Sequence, residues 1–291
     1  MSRSARLSAA LGINLLLSIG LVIAGRAAHS TGLVADAGHN LTDAMALVFA
    51  LTASVLASRP PSARRTYGWG RASTLAALAN GIVLVVVTVG IAWMAVERLL
   101  HPRPIEGGVV LVAALFSVVL NLLVVRLLHE HGHDLGVRSA LLHAVGDTLS
   151  AAVVALAGLI ALVASGPLAM RVDPIASLIV AALIVVEALR ITWASIHVLI
   201  EGVPTDIDLS EVEAALRGVE EILDVHDLHV WTLSSTSKAL SAHLVVSGDA
   251  SVESTRPLLI TLHSMLEERF GIDHATVELE AEGGCGHIHH D

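Results

Sequence analysis

Apolar positions gather into six long stretches, roughly 8–28, 33–58, 72–100, 107–128, 139–164 and 174–199. A helix of about 20 apolar residues crosses a hydrocarbon layer of ~30 Å, so each stretch is predicted to span a membrane. The interruptions are polar or proline-rich: Arg59-Pro60-Pro61 and the residues to Arg65, His101-Pro102-Arg103-Pro104, residues 129–134, and Ser165-Gly166-Pro167. The first stretch is long for a cleaved leader and holds Asn14, a residue suited to a helix bundle, so it is read as a retained span. Beyond residue 200 the pattern changes. Residues 208–217 read as a helix starting at Asp208 or Ser210, 223–233 and 239–247 as strands, 251–269 as an amphipathic helix. Residues 274–281 alternate through Ala275, Val277 and Leu279 and form a third predicted strand. The expectation is an all-α six-helix transmembrane domain over 1–200, followed by a small α+β domain over 201–291.

Composition agrees. The 291 residues are 54% hydrophobic and 15% charged, with mean hydropathy +0.75, which excludes a soluble globule, a disordered chain, collagen and coiled coil. Charge divides unevenly: residues 1–200 carry 13 Lys and Arg against 9 Asp and Glu, and residues 201–291 carry 4 against 18. An acidic tail repels nucleic acid and suits cations. Placing the N-terminus inside gives the cytoplasmic ends Arg3, Arg6, Arg59, Arg64, Arg65, Arg71, Arg126 and Arg138, against Arg26, Arg98, Arg103 and Arg171 opposite. That bias predicts both termini in the cytoplasm, and a compact chain of this kind is expected in a prokaryotic inner (plasma) membrane. One cysteine, Cys285, excludes a disulfide framework; sixteen histidines against one tyrosine and three phenylalanines point to metal.

In the second stretch His39 precedes Asp43 by four residues, and in the fifth His143 precedes Asp147 by four. That step puts both side chains on one helix face, with Cβ atoms ~6 Å apart. Two such helices facing each other offer two imidazoles and two carboxylates, a tetrahedral set for Zn2+. An ionised Asp in hydrocarbon costs roughly 3 kcal/mol even on lenient insertion scales. Two carboxylates around one divalent cation are formally neutral, which offsets that cost. Without metal the pair holds protons, because like charges oppose joint ionisation. Metal arrival then expels protons and proton arrival weakens the metal, a mechanism for exchange. Helix-to-helix hydrogen bonding alone accounts for one such pair more readily than for two. Asp36 and Asn40 read either as outer groups of this site or as helix-start residues. Glu97 beside Arg98, and Glu187 three residues before Arg190, read as acids paired within their own helices, with a place on a proton route open to Glu187.

These residues resemble the cation diffusion facilitator family of zinc transporters. Ala35-Asp36-Ala37-Gly38-His39-Asn40-Leu41-Thr42-Asp43 is similar to its second-helix signature and His143-Ala144-Val145-Gly146-Asp147 to its fifth. Tyr67-Gly68-Trp69-Gly70-Arg71 resembles the start of the third helix, Glu201-Gly202-Val203-Pro204 the exit from the sixth, and His226-Asp227-Leu228-His229-Val230-Trp231 the first strand of the cytoplasmic domain. The resemblance implies a homodimer with a ferredoxin-like, metallochaperone-like cytoplasmic domain. It also implies alternating access, with metal leaving the cytoplasm as H+ enters. Zinc-selective members use two His and two Asp, so Zn2+ is the expected substrate, with Cd2+ and Co2+ as co-substrates. An exporter of Mn2+, Fe2+ or Ni2+ is the alternative within transport, and a membrane-tethered metal sensor the alternative outside it. Arg71 and Glu201 match a charge interlock at the membrane–cytoplasm junction, although an ordinary surface salt bridge fits them as well. The loop between the second and third helices has no histidine, so a metal site that some relatives hold there is expected to be absent.

The same resemblance matches His226, His243 and Glu280 to a cytoplasmic metal site, with Cys285 in the His-rich tail as a further candidate ligand. His229, three positions after His226, is expected on the opposite strand face. His263 matches a ligand-bearing helix only loosely, and His274 reads as structural. His129, His131 and His133 read as a short zinc-gathering loop or a plain solvated one. His129-Glu130-x-x-His133 spells a zinc-protease motif, but Gly132 interrupts the helix that such a motif requires.

Overall fold

A computed structural model describes the backbone of residues 3–129, 135–234, 236–247 and 255–282. Six long helices come first: α1 (Arg3–Ala27), α2 (Thr31–Ala57), α3 (Ala72–Leu100), α4 (Gly107–His129), α5 (Leu135–Val163) and α6 (Pro167–Leu199). Then follow α7 (Leu209–Arg217), β1 (Ile222–Ser234), β2 (Ser237–Val246), α8 (Arg256–Phe270) and β3 (His274–Ala281). Helices α2 to α6 are each long and apolar enough to cross a membrane, and the 25 residues of α1 reach about 37 Å.

The chain divides into two compact units. One is Met1–Phe49 with Ala79–Thr192; the other is Ala50–Leu78 with Trp193–Asp291. The first packs through small and branched residues, with Ala28, Leu33, Ala37, Val110, Ala114, Val154, Val180 and Ala188 buried together. Side chains of that size let helix backbones approach closely where no water drives association. Helices α4 and α5 show this at Gly107 and Gly158. A Cβ on Gly158 would lie 2.6 Å from the Leu111 amide nitrogen, and one on Gly107 2.7 Å from that of Leu162.

The start of α2 is held from another helix. Asp173 of α6 is fully buried and accepts hydrogen bonds from Ser30 Oγ (2.5 Å), Thr31 N (2.7 Å), Thr31 Oγ1 (2.8 Å) and Gly32 N (3.3 Å). Ser30 Oγ in turn accepts from Leu33 N. The first amides of a helix have no partner within it, and a carboxylate there meets both the donors and the helix dipole. Helix α6 starts at Pro167 and not, as the pattern predicts, at residue 174. Pro167 opens the helix with a φ suited to it, and Pro174 is accommodated inside at the loss of one backbone hydrogen bond.

In the second unit α7, α8 and a three-stranded sheet form the α+β fold expected. Strand order is β1-β2-β3, with β1 antiparallel and β3 parallel to β2. Val212, Leu216, Leu258, Leu262 and Leu266 of the helices pack on Val225, Val230, Leu240, Leu244 and Val246. Asp208 caps α7 through Ser210 N, as the sequence suggests, while α8 begins at Arg256, five residues late, with Thr255 as its cap and Pro257 in its first turn. Lys238, the one lysine in the chain, donates to Asp206 Oδ2 at 2.6 Å and to the Phe270 carbonyl at 3.4 Å. Its ammonium holds the Asp206 carboxyl below the usual range, as the Arg217 guanidinium does for Asp224 at 2.6 Å.

Candidate metal centres

The first cluster comes from α2 and α5. His39 Nε2–H donates to Asp147 Oδ1 at 2.9 Å and lies 3.9 Å from Asp43 Oδ2. His143 Nε2 lies 3.5 Å from Asp43 Oδ2 and 3.8 Å from Asp147 Oδ2, and the two rings meet edge-on with centroids 5.9 Å apart. The two i,i+4 pairs interlock: each histidine reaches the aspartate of the other helix as well as its own. Side-chain exposure runs from 5% at His39 through 15% at Asp147 and 18% at Asp43 to 38% at His143, so His39 is the most enclosed of the four and His143 the most open. Thr42 Oγ1 donates to the His39 carbonyl. Asp36, one turn earlier, is buried and accepts from Ser117 Oγ of α4 at 3.0 Å, with Asn40 beside it. Helix-start roles are therefore excluded for Asp36 and Asn40, which sit well inside α2.

A fifth residue joins this cluster that the pattern did not assign to it. Glu187 of α6 lies with Oε1 3.3 Å from His143 Nδ1. The helical step to Arg190 suggested a pair within α6; the partner found is on α5. Arg98, similarly, donates to the His29 carbonyl at 2.6 Å.

The second cluster lies on the sheet face away from α7 and α8. His226 and His243 are direct cross-strand partners on β1 and β2, with ring centroids 5.2 Å apart. His243 Nδ1–H donates to Glu280 Oε1 at 2.6 Å, and His226 Nε2 lies 3.6 Å from Glu280 Oε2. One ligand atom from each of these three residues falls within 4.8 Å of the others, a spacing that one ion can bridge. Two imidazoles and a carboxylate fit zinc as three of four ligands. Glu278 is 3.8 Å from His243 Nε2 on the same face.

His229 departs from its expected face. Asp227 adopts a left-handed φ of +48°, and the register shifts between His226, opposite His243, and His229, opposite Ser241. Three steps on β1 thus match two on β2, a bulge that returns His229 to the face of His226. Val225 and Val230, five apart, consequently both face the core. His274 makes an edge-on contact with Tyr67, whose hydroxyl is 3.4 Å from its Nε2. Arg71 Nη2 donates to Glu201 Oε1 at 2.9 Å, and Glu201 itself holds φ +62° just after α6. The His129 side chain, His131, His133 and Cys285 lie outside the described residues, so the loop and tail sites are not part of this geometry.

The cation efflux transmembrane domain matches residues 7–200, and the cation efflux protein cytoplasmic domain, a family named for dimerisation, matches 204–282. The chain belongs to the cation efflux, or cation diffusion facilitator, family. It is 37% identical to the zinc transporter ZitB of Escherichia coli, over 98% of this chain and 93% of that one. The cadmium, cobalt and zinc/H(+)-K(+) antiporter of Bacillus subtilis is 34% identical over 89% of this chain and 83% of its own. The metal cation efflux system protein CzcD of Cupriavidus metallidurans is 36% identical over 89% and 81%. Members of this family are multi-pass membrane transporters of divalent metal and not enzymes, and the cytoplasmic domain implies dimerisation.

Proposed function

We propose that this chain exports Zn2+ from the cytoplasm in exchange for protons, by alternating access around His39, Asp43, His143 and Asp147. The observation that carries the reading is the approach of these four side chains, with nitrogen-to-oxygen distances of 2.9–3.9 Å, inside two membrane-length helices; ligand atoms of His39, Asp43 and Asp147 lie within 4.8 Å of one another, with His143 beside them. A divalent ion there makes the site formally neutral, whereas the empty site is stable in hydrocarbon only with protons on it. Inward protons and outward metal therefore compete for the same groups, and one gradient drives the other. The relatives, a zinc transporter and a cadmium, cobalt and zinc antiporter, favour zinc with cadmium and cobalt beside it. Paired histidines disfavour manganese, which prefers oxygen ligands. A sensor that binds without transport has no use for a carboxylate in the middle of each of two spans.

In this reading His226, His243 and Glu280 hold a second zinc that stiffens the cytoplasmic domain of a homodimer, because metal affinity adds to folding or docking energy. Arg71 and Glu201 act as a hinge pair at the ends of α3 and α6. The protein sits in the inner membrane with both termini in the cytoplasm. Zinc uptake into proteoliposomes under an imposed pH gradient tests the whole reading, with the native chain set against Asp43→Ala and Asp147→Ala. Gradient-driven flux in the native chain, lost in both variants, is expected. Equal flux in all three, or binding without flux in the native chain, overturns it.

A further inference from the structure

We propose that Glu187 is a positioning residue for the transported metal: by accepting a hydrogen bond from His143 Nδ1, it turns Nε2 of that ring toward Asp43 and Asp147. The inference rests on the reading of His143 as a ligand, and its test separates the two.

The two imidazoles of the cluster differ at their second nitrogen. His39 is 5% exposed, fixed by burial, and its Nδ1 has no hydrogen-bond partner among the described residues. His143 is 38% exposed and lacks that packing. What it has is Glu187 Oε1 at 3.3 Å from Nδ1 while Nε2 faces the two aspartates at 3.5 and 3.8 Å. A neutral imidazole carries one N–H. With that proton on Nδ1 and given to a carboxylate, the Nε2 lone pair is free for a cation, and the carboxylate raises its basicity. A ring free to rotate would present the wrong nitrogen for part of the time and lose rotamer entropy on each binding event.

The location of Glu187 supports the assignment. An acid well inside a membrane-length helix is costly and marks function by default. Its neighbours Val186 and Leu189 are exposed apolar residues, as lipid contact requires, while Glu187, itself 43% exposed, reaches His143 of α5. Because α6 supplies this group and α2 and α5 supply the ligands, a displacement of α6 would release the His143 ring without touching the aspartates.

The test compares the full-length native chain with Glu187→Ala and Glu187→Gln, using Zn2+ alone as probe, each in a chain that also carries His243→Ala to weaken the cytoplasmic cluster. Equilibrium binding in detergent should weaken by about 10–100-fold in Glu187→Ala. In proteoliposomes KM should rise by a similar factor with Vmax less affected. Glu187→Gln, which keeps an oxygen acceptor, should restore both to within a few-fold. Nitrogen-15 NMR of His143 should report one Nδ1–H tautomer in the reference and a mixture in Glu187→Ala. Native affinity in Glu187→Ala overturns the proposal, and so does a Gln variant as weak as the Ala variant, which would make Glu187 itself a ligand. Binding does not depend on transport, so a reference chain that binds zinc without moving it removes the antiporter reading alone.

Discussion

Two clusters of histidine and carboxylate are held in this molecule by different kinds of scaffold. The intramembrane quartet hangs on two helices, each contributing a His and an Asp one turn apart, and with a divalent ion it is neutral. The cytoplasmic trio sits on adjacent strands whose register is fixed by the hydrogen-bond ladder, and with the same ion it keeps a net positive charge. Packed helices can slide or tilt by an ångström or two without losing internal hydrogen bonds. A strand ladder cannot shift by a residue without turning its side chains to the other face. The first arrangement suits an ion that must be taken up and released; the second suits one that stays.

Substitutions can break this contrast. The largest effect is expected from Asp43→Ala or Asp147→Ala, which leave one carboxylate against a divalent ion: gradient-driven zinc flux should fall by at least about 100-fold, read in proteoliposomes. Leu262→Ala, under the sheet, should destabilise the cytoplasmic domain by roughly 2–5 kcal/mol, read as lost hydrogen-exchange protection in β2, with the α2 and α5 amides unaffected. If zinc holds the sheet cluster, a concentration 100 times its Kd should add about 2.7 kcal/mol of stability to that domain. Glu280→Ala should remove most of that increment while leaving zinc flux measurable; abolished flux would make the sheet cluster part of the transport path.

The smallest effect concerns Lys238 and Asp206. Asp206 has its folded pKa held below the ordinary carboxylate value by the Lys238 ammonium, so its contribution is complete above that value and is lost as pH falls through the folded pKa. Both groups lie near the surface, and Lys238→Met should cost less than about 1 kcal/mol near neutral pH and flatten that part of the acid unfolding curve. Hydrogen exchange across pH 2–7 measures it.

Much of this was legible in the sequence where periodicity and spacing carry the information. Helix α3 and strand β3 have the boundaries that apolar runs and alternation predict. The quartet was readable because residues four apart share a helix face, wherever the helix lies. Three features were not, and each depends on something that a linear pattern lacks. The face of His229 is set by an extra residue at Asp227, where no glycine advertises a left-handed φ. Glu187 finds His143 through the packing of α6 on α5, while the sequence offers only its own-helix neighbour Arg190. The beginning of α6 was hidden by Pro174, which reads as a boundary but lies inside the helix.

The cap on α2 has a consequence in time. Thr31 N and Thr31 Oγ1 bind a carboxylate that lies 142 residues further along the chain. At synthesis rates of about 5–20 residues per second, Asp173 emerges roughly 7–28 s after Thr31. For that interval the amides opening α2 must be served by Ser30, by water or by lipid headgroups, so the helix bearing His39 and Asp43 is fixed at its start only when nearly the whole membrane portion has been made. A ribosome paused between α5 and α6 would hold a chain with all four proposed ligands already synthesised and the start of α2 still lacking its carboxylate.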